Sequence, residues 1–166
     1  DLHTKVINWE DMKQLQLAYL RSGVANQDVP QDHAFICSRF DFMNNYDIKY
    51  ILSGVNIATE SIFPKSWMYS NRDATNLKSI YEQYGSNKLR DYKTMSFFKY
   101  YIYYPFIKRI ATIHPLNYMR YDKSEAIAEL QKKTKWRPYE RKHGESIFTR
   151  FFQDYYLIER YGYDKR

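Results

Sequence analysis

Apolar residues recur at helical spacing in the first quarter of the chain. Met12, Leu15 and Tyr19 share one face, with Leu20 beside them. Asn8 is a good N-cap in front of them, Glu10 and Asp11 suit the positive end of a helix, and Gly23 suits its termination, which predicts a helix over about 9–22. A polar stretch follows, in which Pro30 restricts Val29 to an extended conformation and suits the first turn of a new helix. Ile36, Phe40 and Met43 then repeat at helical spacing, so a second helix is expected over about 31–45. At Ile48–Ser53 the pattern changes to a short apolar run that reads as a buried strand, with Gly54 just past it requiring a positive φ or a close backbone approach.

Further along, Phe63–Trp67 breaks the pattern and reads as a loop. Asp73 can cap a helix carrying Leu77, Ile80, Tyr81 and Tyr84 and ended by Gly85. Residues 86–96 are polar and irregular. Phe97–Phe106 contains seven aromatics and is too short to span a bilayer. It is open to three readings: core or subunit-interface packing, a stacking platform for bases, or an interfacial membrane segment. A short extended piece is expected within 110–121. Asp122-Lys123-Ser124-Glu125 resembles a capping box opening a helix to about Lys133, and a last long helix runs from Ile147 to about Arg160. Helix, strand and turn in this order are the grammar of a parallel sheet, so the fold class is α/β.

Composition sharpens this picture at four points. A length of 166 residues makes one domain the default. Residues 1–96 hold 11 Lys/Arg and 11 Asp/Glu, whereas residues 97–166 hold 15 and 8, so the whole net charge of +7 lies in the second part. A basic half implies an anionic partner or simply a solvated charged face. One cysteine, Cys37, excludes an internal disulfide framework and a Cys-based zinc site within the chain, and no run of eighteen apolar residues or signal peptide is present. These features favour a reducing cytoplasm. The chain begins with Asp1, and reads as a segment excised from a longer protein, although removal of a tag or propeptide would look the same.

Three groups of residues carry candidate chemistry. Asp28, Asp32 and His33 surround the start of the second helix, either as caps or as a polar cluster beside a ligand with His33 as donor or base. Asn56 and Glu60 lie just beyond the strand and Gly54, where chemistry sits in open α/β sheets; Glu60 could ligate Mg²⁺, orient a nucleotide or cap a neighbouring helix. Lys142, His143 and Arg150 form a basic cluster suited to phosphate or carboxylate, or a solvated helix end. His143 and Glu145 have the wrong order and spacing for the HExxH zinc motif, and there is no Gly-rich phosphate loop, GxSxG or Walker A.

Several phrases in order resemble one family, the N-acetyl sugar amidotransferases of bacterial surface-polysaccharide and nonulosonic-acid synthesis. They are Asn26-Gln27-Asp28-Val29-Pro30-Gln31-Asp32-His33-Ala34, Leu52-Ser53-Gly54-Val55-Asn56-Ile57-Ala58-Thr59-Glu60-Ser61, Trp136-Arg137, Lys142-His143-Gly144-Glu145-Ser146-Ile147-Phe148-Thr149-Arg150-Phe151-Phe152-Gln153 and Asp164-Lys165-Arg166. The resemblance covers about 8–166. It implies the Rossmann-like adenine-nucleotide α-hydrolase fold of PP-loop ATP pyrophosphatases, as a partial sheet with a helix-rich C-terminal half. Residues 1–96 would be the second half of the nucleotide-binding domain and 97–166 its basic, aromatic-rich helical part.

The implied reaction converts a sugar N-acetyl group to an acetamidino group, using ATP, Mg²⁺ and ammonia from partner glutaminase and channel subunits similar to imidazole-glycerol-phosphate synthase. Its substrate would be a nucleotide-linked or acidic N-acetyl sugar. By the same resemblance Asp32, His33 and Glu60 are candidate catalytic residues. Gly54, Asn56 and Glu60 would contact the nucleotide, with Glu60 also on Mg²⁺. Asp28, Lys142, His143, Glu145 and Arg150 would contact substrate or phosphate. The family's Ser-Gly-Gly-x-Asp-Ser phosphate loop and its cysteine-rich N-terminal segment do not occur in the chain, so the chain alone is expected to be inactive. A homo-oligomer is compatible with the pattern. Two other classes compete: the nucleic-acid-binding part of a PP-loop tRNA-modifying enzyme, and a non-catalytic interaction domain using Phe97–Phe106.

Overall fold

Capping side chains set most of the helix starts. Asn8 Oδ1 accepts the N–H groups of Glu10 and Asp11 at 3.0 and 3.3 Å and opens α1 (Trp9–Ser22), which ends at Gly23 with φ 68°. The protein is described by a computed structural model over residues 2–57, 70–138 and 146–164. Helix α2 (Val29–Asn45) starts earlier than its apolar period suggests, and Val29 is helical although it precedes a proline. Pro30 falls in the first helical turn, where no N–H partner is needed. Asp28, at the capping position of α2, makes no side-chain capping bond there. Asp73 accepts the N–H groups of Thr75 and Asn76, both at 2.9 Å, and opens α3 (Ala74–Tyr84).

The sheet is a parallel pair, β1 (Tyr50–Leu52) and β2 (Ala111–Ile113), with Ile51 opposite Thr112. Two bonds of 2.9 Å extend the ladder at its ends, Ala111 N–H to the Lys49 carbonyl and Ser53 N–H to the Ile113 carbonyl. The chain is therefore helix-rich α/β with a small parallel sheet among the described residues. β1 is less buried than its apolar sequence suggests. Ile51 packs on the core, whereas Tyr50 and Leu52 point to the other face and stay exposed. Between the strands, Lys99–Ile107 winds as a π-helix that contains Pro105.

Packing groups the described residues into two units, one of residues 2–53 and 70–113, the other of 54–57, 114–138 and 146–164. The aromatic π-helix packs within the first unit. In the first unit, α2 contributes to both core clusters. Ile36, Phe40 and Met43 meet Met95, Tyr104 and Ile110, while Val29 joins Leu15, Tyr19 and Leu77. In the second unit, Asp122 caps α4 (Lys123–Lys133) through the N–H groups of Ser124 and Glu125 at 2.8 and 3.0 Å. Ser146 opens α5 (Ile147–Phe151), which runs through a π-helical turn (Phe152–Tyr156) into α6 (Leu157–Tyr161). Phe152 and Leu157 are the buried side of that last helix. Among the described residues no helix is long and apolar enough to cross a membrane.

The irregular stretch 86–96 is held by a carboxylate. Asp11, buried on α1, accepts the backbone N–H groups of Asp91 at 2.7 Å and of Arg90 and Tyr92 at 3.0 Å. Burial opposes its charge, but the three N–H groups outweigh that and hold the carboxyl below its ordinary value of 3.8. Asp11→Ala leaves these donors without a partner and should cost about 2–4 kcal/mol of stability in urea denaturation, several times the effect of Glu10→Ala on the exposed face.

Candidate functional site

The first unit contains an open cleft of about 910 Å³ between two segments, 70–78 and 94–101. The first wall is the entry to α3. Ser70 Oγ accepts the Arg72 N–H at 3.2 Å, and the Ser70 carbonyl accepts the Asp73 N–H at 2.9 Å, so the turn before the helix is fixed locally. The second wall is the entry to the π-helix, where Ser96 Oγ accepts the Lys99 N–H at 3.3 Å. Arg72, Lys78 and Lys99 line the cleft and are exposed, and none of them makes an ion pair among the described residues. The Arg72 guanidinium lies 4.9 Å from the centre of the Tyr100 ring, which itself packs edge-on to Phe40. Among the described residues the one carboxylate of the lining, Asp73, has an oxygen occupied by two backbone N–H groups.

Behind the cleft sits His33. Its ring is fully buried, Nδ1–H donates to the Asn71 carbonyl at 2.9 Å, and Nε2 accepts the Met95 N–H at 3.0 Å. A carbonyl can only accept and an N–H can only donate, so these partners fix a neutral tautomer with the proton on Nδ1. Burial holds the imidazole below its ordinary value, with the Asn71 carbonyl opposing in part. His33 was expected to be a donor or base toward a ligand. Both ring nitrogens are instead bonded to backbone, so the residue joins the two cleft walls and has no lone pair or proton left for a substrate. Asp32, beside it, accepts the Asn71 side-chain N–H at 3.1 Å. Asn71 thus brings Asp32 and His33 together at the back of the first wall.

The other candidates fall elsewhere. Asp28 stays at the start of α2, where its N–H donates to Asn26 Oδ1 at 3.3 Å and its carbonyl accepts the Asp32 N–H at 2.9 Å. In the second unit Asn56 is buried. Its neighbours are tied down: Ile57 N–H donates to Asn117 Oδ1 at 2.9 Å, and His114 Nδ1–H to the Val55 carbonyl at 3.1 Å. Gly54 has neither a positive φ nor anything within 4 Å of a would-be Cβ, so neither reason expected for a glycine applies there. Arg150 is exposed on α5. Glu60, Lys142, His143 and Glu145 lie outside the described residues, as does the expected Mg²⁺ ligand with Glu60. Among the described residues no group of three or more His, Cys, Asp or Glu side chains is placed to hold a metal ion. Cys37 donates to the Lys93 carbonyl at 3.4 Å, and burial, with Asp41 second, pushes its thiol up to about 11.

Sequence reasoning passed over His114, Asn117 and the cleft cations. The first two sit in a stretch without periodicity. Lys99 is separated from Arg72 and Lys78 by 85–96, which has no regular structure, so only the nearness of Arg72 to the capping Asp73 and of Lys99 to the aromatic run gave a signal. No protein-family model, curated protein or solved structure matches the chain.

The His33 bonds make stability depend on pH. The unfolded chain binds a proton near the ordinary value of 6.5 and the native imidazole resists it, so this contribution is complete above that value and is lost as pH falls below it. Urea midpoints should drop between about pH 7.5 and about pH 5.5, and His33→Phe should remove that slope while lowering stability at the higher pH by about 2–4 kcal/mol.

Proposed function

We propose that the chain is part of an ATP-dependent N-acetyl sugar amidotransferase of bacterial lipopolysaccharide or surface-glycan biosynthesis, cytoplasmic, with the adenine-nucleotide α-hydrolase fold. One observation carries the reading beyond sequence resemblance. The segments that leave the two parallel strands, 53–57 and 114–117, are hydrogen-bonded to each other through Val55–His114 and Ile57–Asn117. Segments leaving the carboxyl ends of adjacent parallel strands are where open α/β sheets bind ligands. One of the phrases that carry the resemblance, Leu52–Ser61, begins in the first of these segments.

The chemistry follows from the poor electrophilicity of an amide carbon. The amide oxygen attacks the α-phosphorus of ATP and pyrophosphate leaves. Ammonia then adds to the activated carbon, and AMP departs with the former amide oxygen, leaving an acetamidino group. Such a sequence asks the protein chiefly to position the two substrates and offset phosphate charge. On this reading Gly54 and Asn56 serve the nucleotide, and Arg150, with Lys142, His143 and Glu145, serves the anionic sugar. The resemblance places Mg²⁺ on Glu60. The described carboxylates form no set that fits the ion, so no step is derived through it.

The gene sequence ahead of Asp1 is the first test, and a Ser-Gly-Gly-x-Asp-Ser motif after an apolar strand is expected there. The protein encoded by the whole gene, supplied with ATP, Mg²⁺, ammonium chloride and a nucleotide-linked N-acetyl sugar, should release pyrophosphate, AMP and amidine in equal amounts. The 166-residue chain alone should release none. Absence of the motif, or pyrophosphate release that does not depend on the sugar, overturns the reading.

A further inference from the structure

We propose that the cleft between 70–78 and 94–101 is a nucleoside-phosphate site, with Arg72, Lys78 and Lys99 on the phosphates and the Phe97 and Tyr101 rings on the base. None of these residues belongs to the segments on which the amidotransferase reading rests, and the inference stands without it.

Charge is the first part of the case. Three cations line one cleft with no ion-pair partner among the described residues, and the one carboxylate among the described lining residues is turned onto the backbone of α3. Because Asp73 takes the N–H groups of Thr75 and Asn76, the anion site is made of side chains and not of the helix end. Arg72 is held in place over Tyr100, so part of the ordering cost is met before a ligand arrives.

Aromatic exposure is the second part. The segment from Phe97 has two sides: Tyr104 is buried and stacked on Phe40 at 4.5 Å, whereas Phe97 and Phe98 are 70% and 55% exposed. Phe97 and Tyr101 lie 4.6 Å apart on the cleft side, next to Lys99. Exposed rings beside cations that make no ion pair among the described residues match a ligand with a flat π-face and phosphate groups, since stacking and charge are both satisfied by one molecule. Size is the third part: about 910 Å³ lies within the range of small-molecule sites, which argues for a single nucleotide and against a polymer groove.

Calorimetry on the 166-residue chain with ADP, inorganic pyrophosphate and a ten-nucleotide single-stranded RNA decides the matter. ADP should bind at one per chain, more weakly as salt rises. Arg72→Ala with Lys99→Ala should weaken ADP and pyrophosphate alike, by about tenfold or more. Phe97→Ala with Tyr101→Ala should weaken ADP by about tenfold and leave pyrophosphate within about twofold. These four side chains are exposed, so unchanged melting temperatures verify the fold; Lys78→Glu, on the exposed face of α3, repeats the charge test independently. The proposal falls if ADP does not saturate, if the charge variants leave its affinity unchanged (binding then lies elsewhere, as at the Asn56 segment), if the ring variant has no effect, or if the RNA binds far more tightly than ADP through the same cations.

Discussion

The two backbone bonds of His33 are the constraint on which the cleft depends. Asn71 precedes α3 and Met95 precedes the π-helix, and the imidazole satisfies a carbonyl on one and an N–H on the other. A buried backbone group left without a partner is costly, so the ring ties the two segments together at Asn71 and Met95. Everything presented on those segments inherits that constraint: Arg72 one residue after Asn71, and Ser96, Phe97 and Lys99 shortly after Met95. Asp11 acts in the same way on the neighbouring stretch, where its carboxylate collects three consecutive N–H groups. Helices α1 and α2 therefore each send one buried polar side chain into 86–96, which has no regular secondary structure to satisfy itself.

These roles explain which parts of the fold could be read from sequence. Asn8, Asp73 and Asp122 were recognisable as caps, and each accepts two N–H groups within three residues of itself. Capping is local, so a window of four residues holds the information. The bonds of Asp11 and His33 span about 80 and 60 residues, and no local pattern distinguishes an acid that caps its own helix from one that caps a distant loop. The apolar period of α2 was likewise clear, but its first turn was not, because the rule that proline keeps its predecessor extended yields when proline sits in a first turn. β2 is three residues long and carries no alternation; it is a strand because β1 supplies its partners.

The aromatic run divides between the core and the surface. Tyr100, Tyr103 and Tyr104 pack with the core, while Phe97, Phe98 and Phe106 face outward. Its hydrophobicity is nearly uniform around the axis, so periodicity could not separate the inward from the outward face, and the π-helical winding changes the spacing from the 3.6-residue rule in any case. The Asp28–His33 phrase was informative in a different sense. Its His33 bonds two backbone groups, and residue type alone does not reveal whether a histidine faces those or a ligand.

Net charge along the chain does not locate the cleft cations. The whole excess of +7 lies after residue 96, yet two of the three cleft cations, Arg72 and Lys78, come from the part whose charges cancel. Cancellation along a sequence is not cancellation in space. In that same part Lys5 and Lys93 share the carboxylate of Asp41, and Lys49 pairs with Asp47, so these acids are consumed away from the cleft. What an anion meets is the local remainder after such pairing, at distances within a Debye length of about 8 Å. A neutral segment can thus present a positive site, provided its carboxylates are engaged elsewhere, and in this protein Asp11, Asp41 and Asp73 are engaged by backbone N–H groups or by lysines outside the cleft.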